Sequence, residues 1–232
     1  MIKKGLHIVI LFLFCFMGFS QSKSDSLAVN FHLEFDKLPL QLNKKYASAS
    51  YDTLTIETFR CYISNIEIHY QDNSTFVQKN SYHLLDSDKP NSFLIPIVKK
   101  NDKQISKITF NVGIDSITNT SGAMAGDLDP VKGMYWAWQS GYINTKIEGK
   151  SLSCITHKNE FQFHVGGYLQ PYYSLRKMEF PLDKKADDDI NIGIDLNRFF
   201  SNIKLKETNS VMIPGKQAMK LMNYIDKMFY MQ

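Results

Sequence analysis

The side chains able to do metal or nucleophile chemistry in this 232-residue chain are few: six His, three Cys and two Trp. Imidazole and thiolate are the ligands that copper, zinc and iron prefer, so a transition-metal site would have to draw on this short set. The set forms no generic catalytic pattern. There is no Gly-x-Ser-x-Gly elbow, no His-Glu-x-x-His pair, no Gly-x-Gly-x-x-Gly turn, no phosphate loop and no Cys-x-x-Cys. Asp127, Asp129 and the run Asp187-Asp188-Asp189 lack the spacing and glycine of an EF-hand loop and read as solvated turns. Both tryptophans fall in Met134-Tyr135-Trp136-Ala137-Trp138-Gln139-Ser140-Gly141-Tyr142. On a strand, a spacing of two puts both indoles on one face. General burial rules make Trp136 and Trp138 a core cluster, and a flat platform for sugar rings is the alternative.

Composition narrows the class before it names a chemistry. The chain is 44% hydrophobic and 22% charged, average for a globular protein, and 13% aromatic. A net charge of +4, with no basic cluster interleaved with aromatics, argues against nucleic acid as partner. Residues 1–20 read as a secretory signal peptide. Lys3 and Lys4 precede an apolar run over 6–19, too short for a membrane span, and Gly18 and Ser20 are the small residues expected before cleavage at Gln21. The expected mature chain, residues 21–232, is one domain working in the periplasm or outside the cell. It keeps five His, two Cys and a charge of +2. Cys61 and Cys154 then admit one disulfide, or stand as two reduced thiols.

The elements that must position these residues are strands. Period-two alternation recurs in Leu27 to Phe35, at Leu54 and Ile56, at Ile66 to Tyr70, in Tyr82 to Leu85 and at Ile108 to Val112. It recurs again from Met134 through Tyr142 to Glu148, at Phe161 to Val165, at Met178 to Leu182 and at Ile190 to Leu196. About nine strands at such spacing predict an all-β fold, an antiparallel β-sandwich or Greek-key barrel. A short turn is expected from Leu196, and a single C-terminal amphipathic helix over 214–228. Ala218, Leu221, Met222, Ile225 and Met228 would form its buried stripe. Strand parity turns His32 away from the apolar side of its strand, and His164 away from Phe161 and Phe163. His83 ends a short strand, while His69 and His157 read as polar-face and loop residues.

Several segments in order also carry a resemblance. Phe59-Arg60-Cys61-Tyr62-Ile63-Ser64-Asn65-Ile66, Tyr82-His83-Leu84-Leu85-Asp86 and Asn111-Val112-Gly113-Ile114-Asp115-Ser116 come first. Gly126-Asp127-Leu128-Asp129-Pro130, the Gly133 to Tyr142 segment, Lys146-Ile147-Glu148-Gly149 and Phe163-His164-Val165-Gly166-Gly167-Tyr168 follow. This ordered set, spanning 29–196, resembles the MbnP-like copper-binding family of secreted bacterial proteins. The resemblance implies a β-sandwich that binds Cu(I) through His imidazoles and a Trp oxidised to kynurenine. It further implies a modifying partner, a diheme enzyme related to cytochrome c peroxidases, and an unidentified copper delivery partner. Unmodified indole has no lone pair to offer a metal, whereas the opened ring exposes an aniline nitrogen.

Carried over, the resemblance makes His164 the first ligand candidate, with His83 and His32 as second and third, and Trp136 or Trp138 as the modified residue. The leading expectation is a non-enzymatic, secreted copper-binding protein. The alternative is an extracellular module that binds sugar or protein through the aromatics of 135–142, and a structural envelope protein is the third reading.

Overall fold

The structure is a computed structural model and describes residues 25–232. The expected signal peptide and Cys15 lie outside the described residues. Among the described residues no helix is long and apolar enough to cross a membrane. The chain is mostly strand, arranged as a ten-stranded and a five-stranded sheet around a shared apolar core.

The larger sheet is organised by one long strand, Thr53–Tyr70, which joins two stretches the sequence pattern separates. Along one edge it pairs with the short strands Lys45–Ala47, Tyr82–Asp86 and Thr75–Val77. Along the other edge its partner changes. Residues 54–61 pair with Gly141–Ser151, and residues 63–70 pair with Gln104–Val112. Glu160–Gly166 continues the sheet beyond Gly141–Ser151, and Arg176–Lys185 continues it beyond Gln104–Val112.

The place where the two partners part is filled by Asn144. Its amide oxygen accepts from the Ile114 N–H at 3.0 Å, and its Nδ2 donates to Ser174 Oγ at 2.7 Å. Gly113, at φ +112°, passes so close that a Cβ there would lie 2.5 Å from Asn144 Cγ. Only glycine takes that conformation and that approach.

The smaller sheet departs from the antiparallel expectation. Ser26–Phe35 runs parallel to Ile190–Asp195, with Val29 opposite Ile190 and Phe31 opposite Ile192. Leu94–Lys99 and Phe229–Met231 pair antiparallel within the same sheet. In the larger sheet, the two-residue strand Ser210–Val211 also runs parallel to its neighbour. Alternation reports which face a residue occupies, not the direction of the next strand, so these parallel pairs leave no trace in the pattern.

Inward residues of both sheets form the core, among them Val29, Phe31, Phe59, Phe110, Phe163 and Ile192. Full burial of each such side chain contributes about 1.5–3 kcal/mol. The helix Lys216–Ile225 and a following 3-10 turn bury Ala218, Leu221, Met222, Ile225 and Met228, the stripe read from the sequence. A smaller apolar cluster lies on the opposite face of the large sheet. Tyr62, Leu84, Leu128, Met134, Trp136 and Tyr142 meet there beneath the excursion of residues 113–140.

Candidate functional site

The excursion is held to the sheet by a set of charged side chains. Arg60 and Lys146 stand in register on neighbouring strands and reach the same loop. Arg60 Nη1 donates to the Lys132 carbonyl at 3.2 Å, and Lys146 Nζ donates to the Gly133 carbonyl at 2.7 Å. Arg60 also pairs with Asp86 and Asp88, each at 3.0 Å. Burial pulls the Lys146 ammonium below its usual range.

Asp127 ties the same loop down from its other side. Its Oδ2 accepts the Leu84 N–H at 3.0 Å, its backbone oxygen accepts the Tyr62 hydroxyl at 2.9 Å, and its Oδ1 pairs with Lys132 Nζ. Asp129 caps the next turn by accepting from Val131 N at 3.0 Å. The Gly-Asp-Leu-Asp-Pro segment is therefore a clamp, and its acidic residues are spent on the protein's own donors.

His164 stands across the sheet from Lys146, on the face covered by the excursion. It is buried, and its Nε2 lies 2.6 Å from Oε1 of Glu148, the diagonal neighbour on the adjacent strand. The hydrogen bond from His164 holds the Glu148 carboxyl below its usual range, with Lys146 and Arg60 adding to the effect against the cost of burial. An ionised Glu148 can only accept, so Nε2 is the donor, and whenever the ring carries a lone pair it lies on Nδ1. A carboxylate that fixes the tautomer in this way is the arrangement that orients metal-bound imidazoles.

Trp136 approaches the same strand on the other side of His164 from Glu148. Gly166 follows His164 by two residues on the same face, and the Trp136 ring is seated against it. A Cβ at 166 would lie 2.7 Å from Trp136 Cζ3 and 2.6 Å from the Tyr142 carbonyl oxygen. The two tryptophans do not share a strand face, as their spacing predicted. Only Tyr135–Trp136 is strand, and it pairs back on Gly141 and Tyr142 through a tight turn. Within this hairpin Trp136 is 6% exposed and Trp138 63% exposed, with ring centroids 6.1 Å apart.

The other candidates lie elsewhere. His83 is in register with Ile63, whose side chain enters the main core, so it belongs to the face opposite Leu84. It stands three strands from His164, about 14 Å at ordinary strand spacing. Its Nε2 meets Gln78 Oε1 at 2.9 Å, and burial lowers its pKa, opposed by Asp127. His32 belongs to the other sheet and bonds Asn191 Oδ1 at 2.9 Å. The three histidines therefore do not converge, and among the described residues no group of three or more His, Cys, Asp or Glu is placed to hold a metal.

The possible disulfide is not formed. Cys61 and Cys154 are both free and buried, with burial pushing the thiols up to about 12 and about 11. Cys61 is level with Thr145, whereas Cys154 lies in the loop beyond Ser151, which pairs with Leu54 near the start of the long strand. The distance along the strand forbids a bridge.

Glu148, Arg60 and Lys146 are the site residues that sequence reasoning did not nominate. Each sits on the polar side of an alternating strand, and only cross-strand register reveals what it meets.

Comparison with known proteins agrees with this architecture. No curated protein sequence matches the chain. Among solved structures it is similar to MbnP from Methylosinus trichosporium, with a TM-score of 0.58 and 15% identity, covering 75% of this chain and 77% of that one. At that identity the likeness speaks for the fold. The family model described as MbnP matches residues 24–213, taking in the larger sheet, the smaller sheet except its last strand Phe229–Met231, the clamped excursion and the His164 strand but not the C-terminal helix. The chain belongs to the MbnP family.

Proposed function

We propose that this protein is a non-enzymatic copper-binding protein working outside the cytoplasm, with its site at the corner formed by His164, Glu148 and Trp136. One observation carries the reading: a buried imidazole, oriented by a carboxylate, stands two residues from the glycine that seats a buried indole. The residues fit copper as a low-coordinate centre. His164 would supply one nitrogen, and the aromatic nitrogen exposed by ring opening of Trp136 to kynurenine would supply another. Copper bound there would be a soft ion held for storage or handover.

The chain's own residues set the conditions. Glu148 keeps the proton on Nε2 and leaves Nδ1 free. His164 is buried and Glu148 partly exposed, so the imidazole is withdrawn from bulk water. His83 and His32, each occupied by a side-chain amide, take no part. Trp136 is the modified residue in this proposal, and the oxidation belongs to a separate diheme, peroxidase-like enzyme.

The test is metal analysis and intact mass on protein purified from its native host. The expected result is bound copper, a mass change of one ring carbon replaced by oxygen at Trp136, and loss of copper in His164→Ala but not in His157→Ala. Unmodified tryptophans together with a copper content that His164→Ala leaves unchanged would end the proposal.

A second reading rests on Trp138. Its sequence neighbour Gln139 lines a cleft of about 290 Å³ together with Tyr168, Leu169, Tyr172 and Pro214. Aromatic rings and amides at a cleft suit a sugar. Glycan-array binding abolished by Trp138→Ala supports this reading, and array binding that survives the substitution removes it.

A further inference from the structure

A different part of the molecule, independent of the copper reading, points to a membrane surface. The turn between Lys45–Ala47 and Thr53–Tyr70 and the loop between Gly141–Ser151 and Glu160–Gly166 emerge at the same end of the large sheet. Ser151 pairs with Leu54, Ala47 pairs with Thr53, and Ser151 Oγ donates to the Thr53 carbonyl at 2.7 Å. Three large apolar side chains stand outermost on these loops: Tyr51 at 96% exposure, Leu152 at 91% and Ile155 at 76%. Scattered exposed apolar residues are ordinary, but three on adjoining loops at one tip are not. Tyr51 is moreover held at φ 68°, a conformation costly for an aromatic residue, which turns it outward.

Charge surrounds this tip on the sides. Lys45, Lys150 and Lys158 border a cleft of about 280 Å³ between the two loops. A third segment joins them: Asp52, itself buried, accepts the Leu205 N–H at 2.9 Å, which brings the exposed Lys204 and Lys206 to the same end. Against these five lysines stand Asp52, Glu57, Glu160 and Glu207. Glu57 pairs with Lys150 at 2.8 Å, and Glu207 lies 3.9 Å from Lys204. Apolar tips ringed by lysine are complementary to one kind of surface, an acyl-chain boundary beneath anionic headgroups.

We propose that this end of the sandwich docks on an anionic lipid bilayer, with Tyr51, Leu152 and Ile155 entering the interface and the lysine ring lying at headgroup level. The attachment is peripheral and reversible, and it weakens as salt screens the lysines.

The experiment is flotation of the mature chain with vesicles of phosphatidylethanolamine containing one-third phosphatidylglycerol, compared with vesicles of phosphatidylcholine alone. Binding is expected to the anionic vesicles and to fall with added salt. Leu152→Asp with Ile155→Asp should lower the partition coefficient about tenfold or more. Lys45→Glu with Lys158→Glu should lower it by at least about fivefold per lysine. Ile117→Asp with Ile213→Asp, exposed apolar residues elsewhere, should leave it unchanged. All these positions are exposed, and thermal melts confirm that the variants fold. Equal binding to both vesicle types, no binding, or tip variants that float like the parent would each overturn the proposal. So would a self-association that depends on Leu152 and Ile155 without vesicle binding.

Discussion

Replacing Gly166 by alanine tests the seat of Trp136, because the sign of the effect depends on that contact. Gly166 does not occupy the left-handed region, so its backbone would accept alanine. In an open strand position the substitution would stabilise the protein by about 0.5–1 kcal/mol, since glycine loses more chain entropy on folding. Here the new methyl would lie 2.6 Å from the Tyr142 carbonyl oxygen and 2.7 Å from Trp136 Cζ3. The ring could yield, but the carbonyl belongs to the paired backbone of the hairpin and cannot move without disturbing it. Overpacking of this kind costs about 1–3 kcal/mol. The expected net effect is a destabilisation of up to about 2.5 kcal/mol, the overpacking cost less the backbone gain. Urea unfolding followed by far-ultraviolet circular dichroism measures it directly. Trp136→Phe in the Gly166→Ala background should restore only part of the loss, because the carbonyl contact remains. A Gly166→Ala protein more stable than its parent would refute the packing argument, and with it the adjacency of Trp136 to the His164 face.

Three other outcomes follow from the described contacts. The mature chain should show no fast-reacting thiol when folded and two on unfolding, without reductant, because Cys61 and Cys154 are buried, unbridged and held as thiols; a thiol-reactive dye counts them. Glu148 has a folded pKa below its unfolded value, so its contribution is fully present above about pH 4.3 and is lost as pH falls through the folded value. Glu148→Gln should therefore flatten the acid limb of a stability-pH curve, and an unchanged limb would contradict the pairing with His164. Asp127→Ala removes the acceptor of the Leu84 N–H and the partner of Lys132, and should cost about 1–3 kcal/mol in denaturant unfolding. A loss below half of that lower bound would mean that the clamp does not hold the excursion.

Much of the fold was legible because it depends on which face a residue occupies. The strand at Ile190, the strand at Phe161 and the helical stripe from Ala218 to Met228 lie where alternation and helical spacing put them. What failed depends on the third dimension. The same alternation fits a parallel or an antiparallel neighbour, so the pairing of Val29 with Ile190 was invisible. Leu94–Lys99, with Pro96 in its middle, did not announce itself as a strand. Trp136 and Trp138 had the spacing of a strand face, but the chain reverses within 137–140, a tight turn closed by Ser140 at φ 54° rather than by a glycine. At the site, His164 is singled out by the family resemblance, and its strand parity agrees. Its partner could not be singled out so, because Glu148 lies sixteen positions away and meets it only through the hairpin register. The same dependence on register separated the remaining histidine candidates, whose parity said nothing about the strands lying between them.

The tryptophan hairpin has an optical consequence. One indole is sealed in an apolar cluster and the other stands in water, with ring centroids 6.1 Å apart. Excitation absorbed by the sheltered ring, which emits at shorter wavelength, passes at this range to the solvated ring, whose emission lies to the red. The protein thus carries a donor and an acceptor of its own, built from its only two indoles. Chemistry on the inner ring would remove the donor and chemistry on the outer ring would remove the acceptor, so the colour of the native fluorescence reports which of the two has been altered.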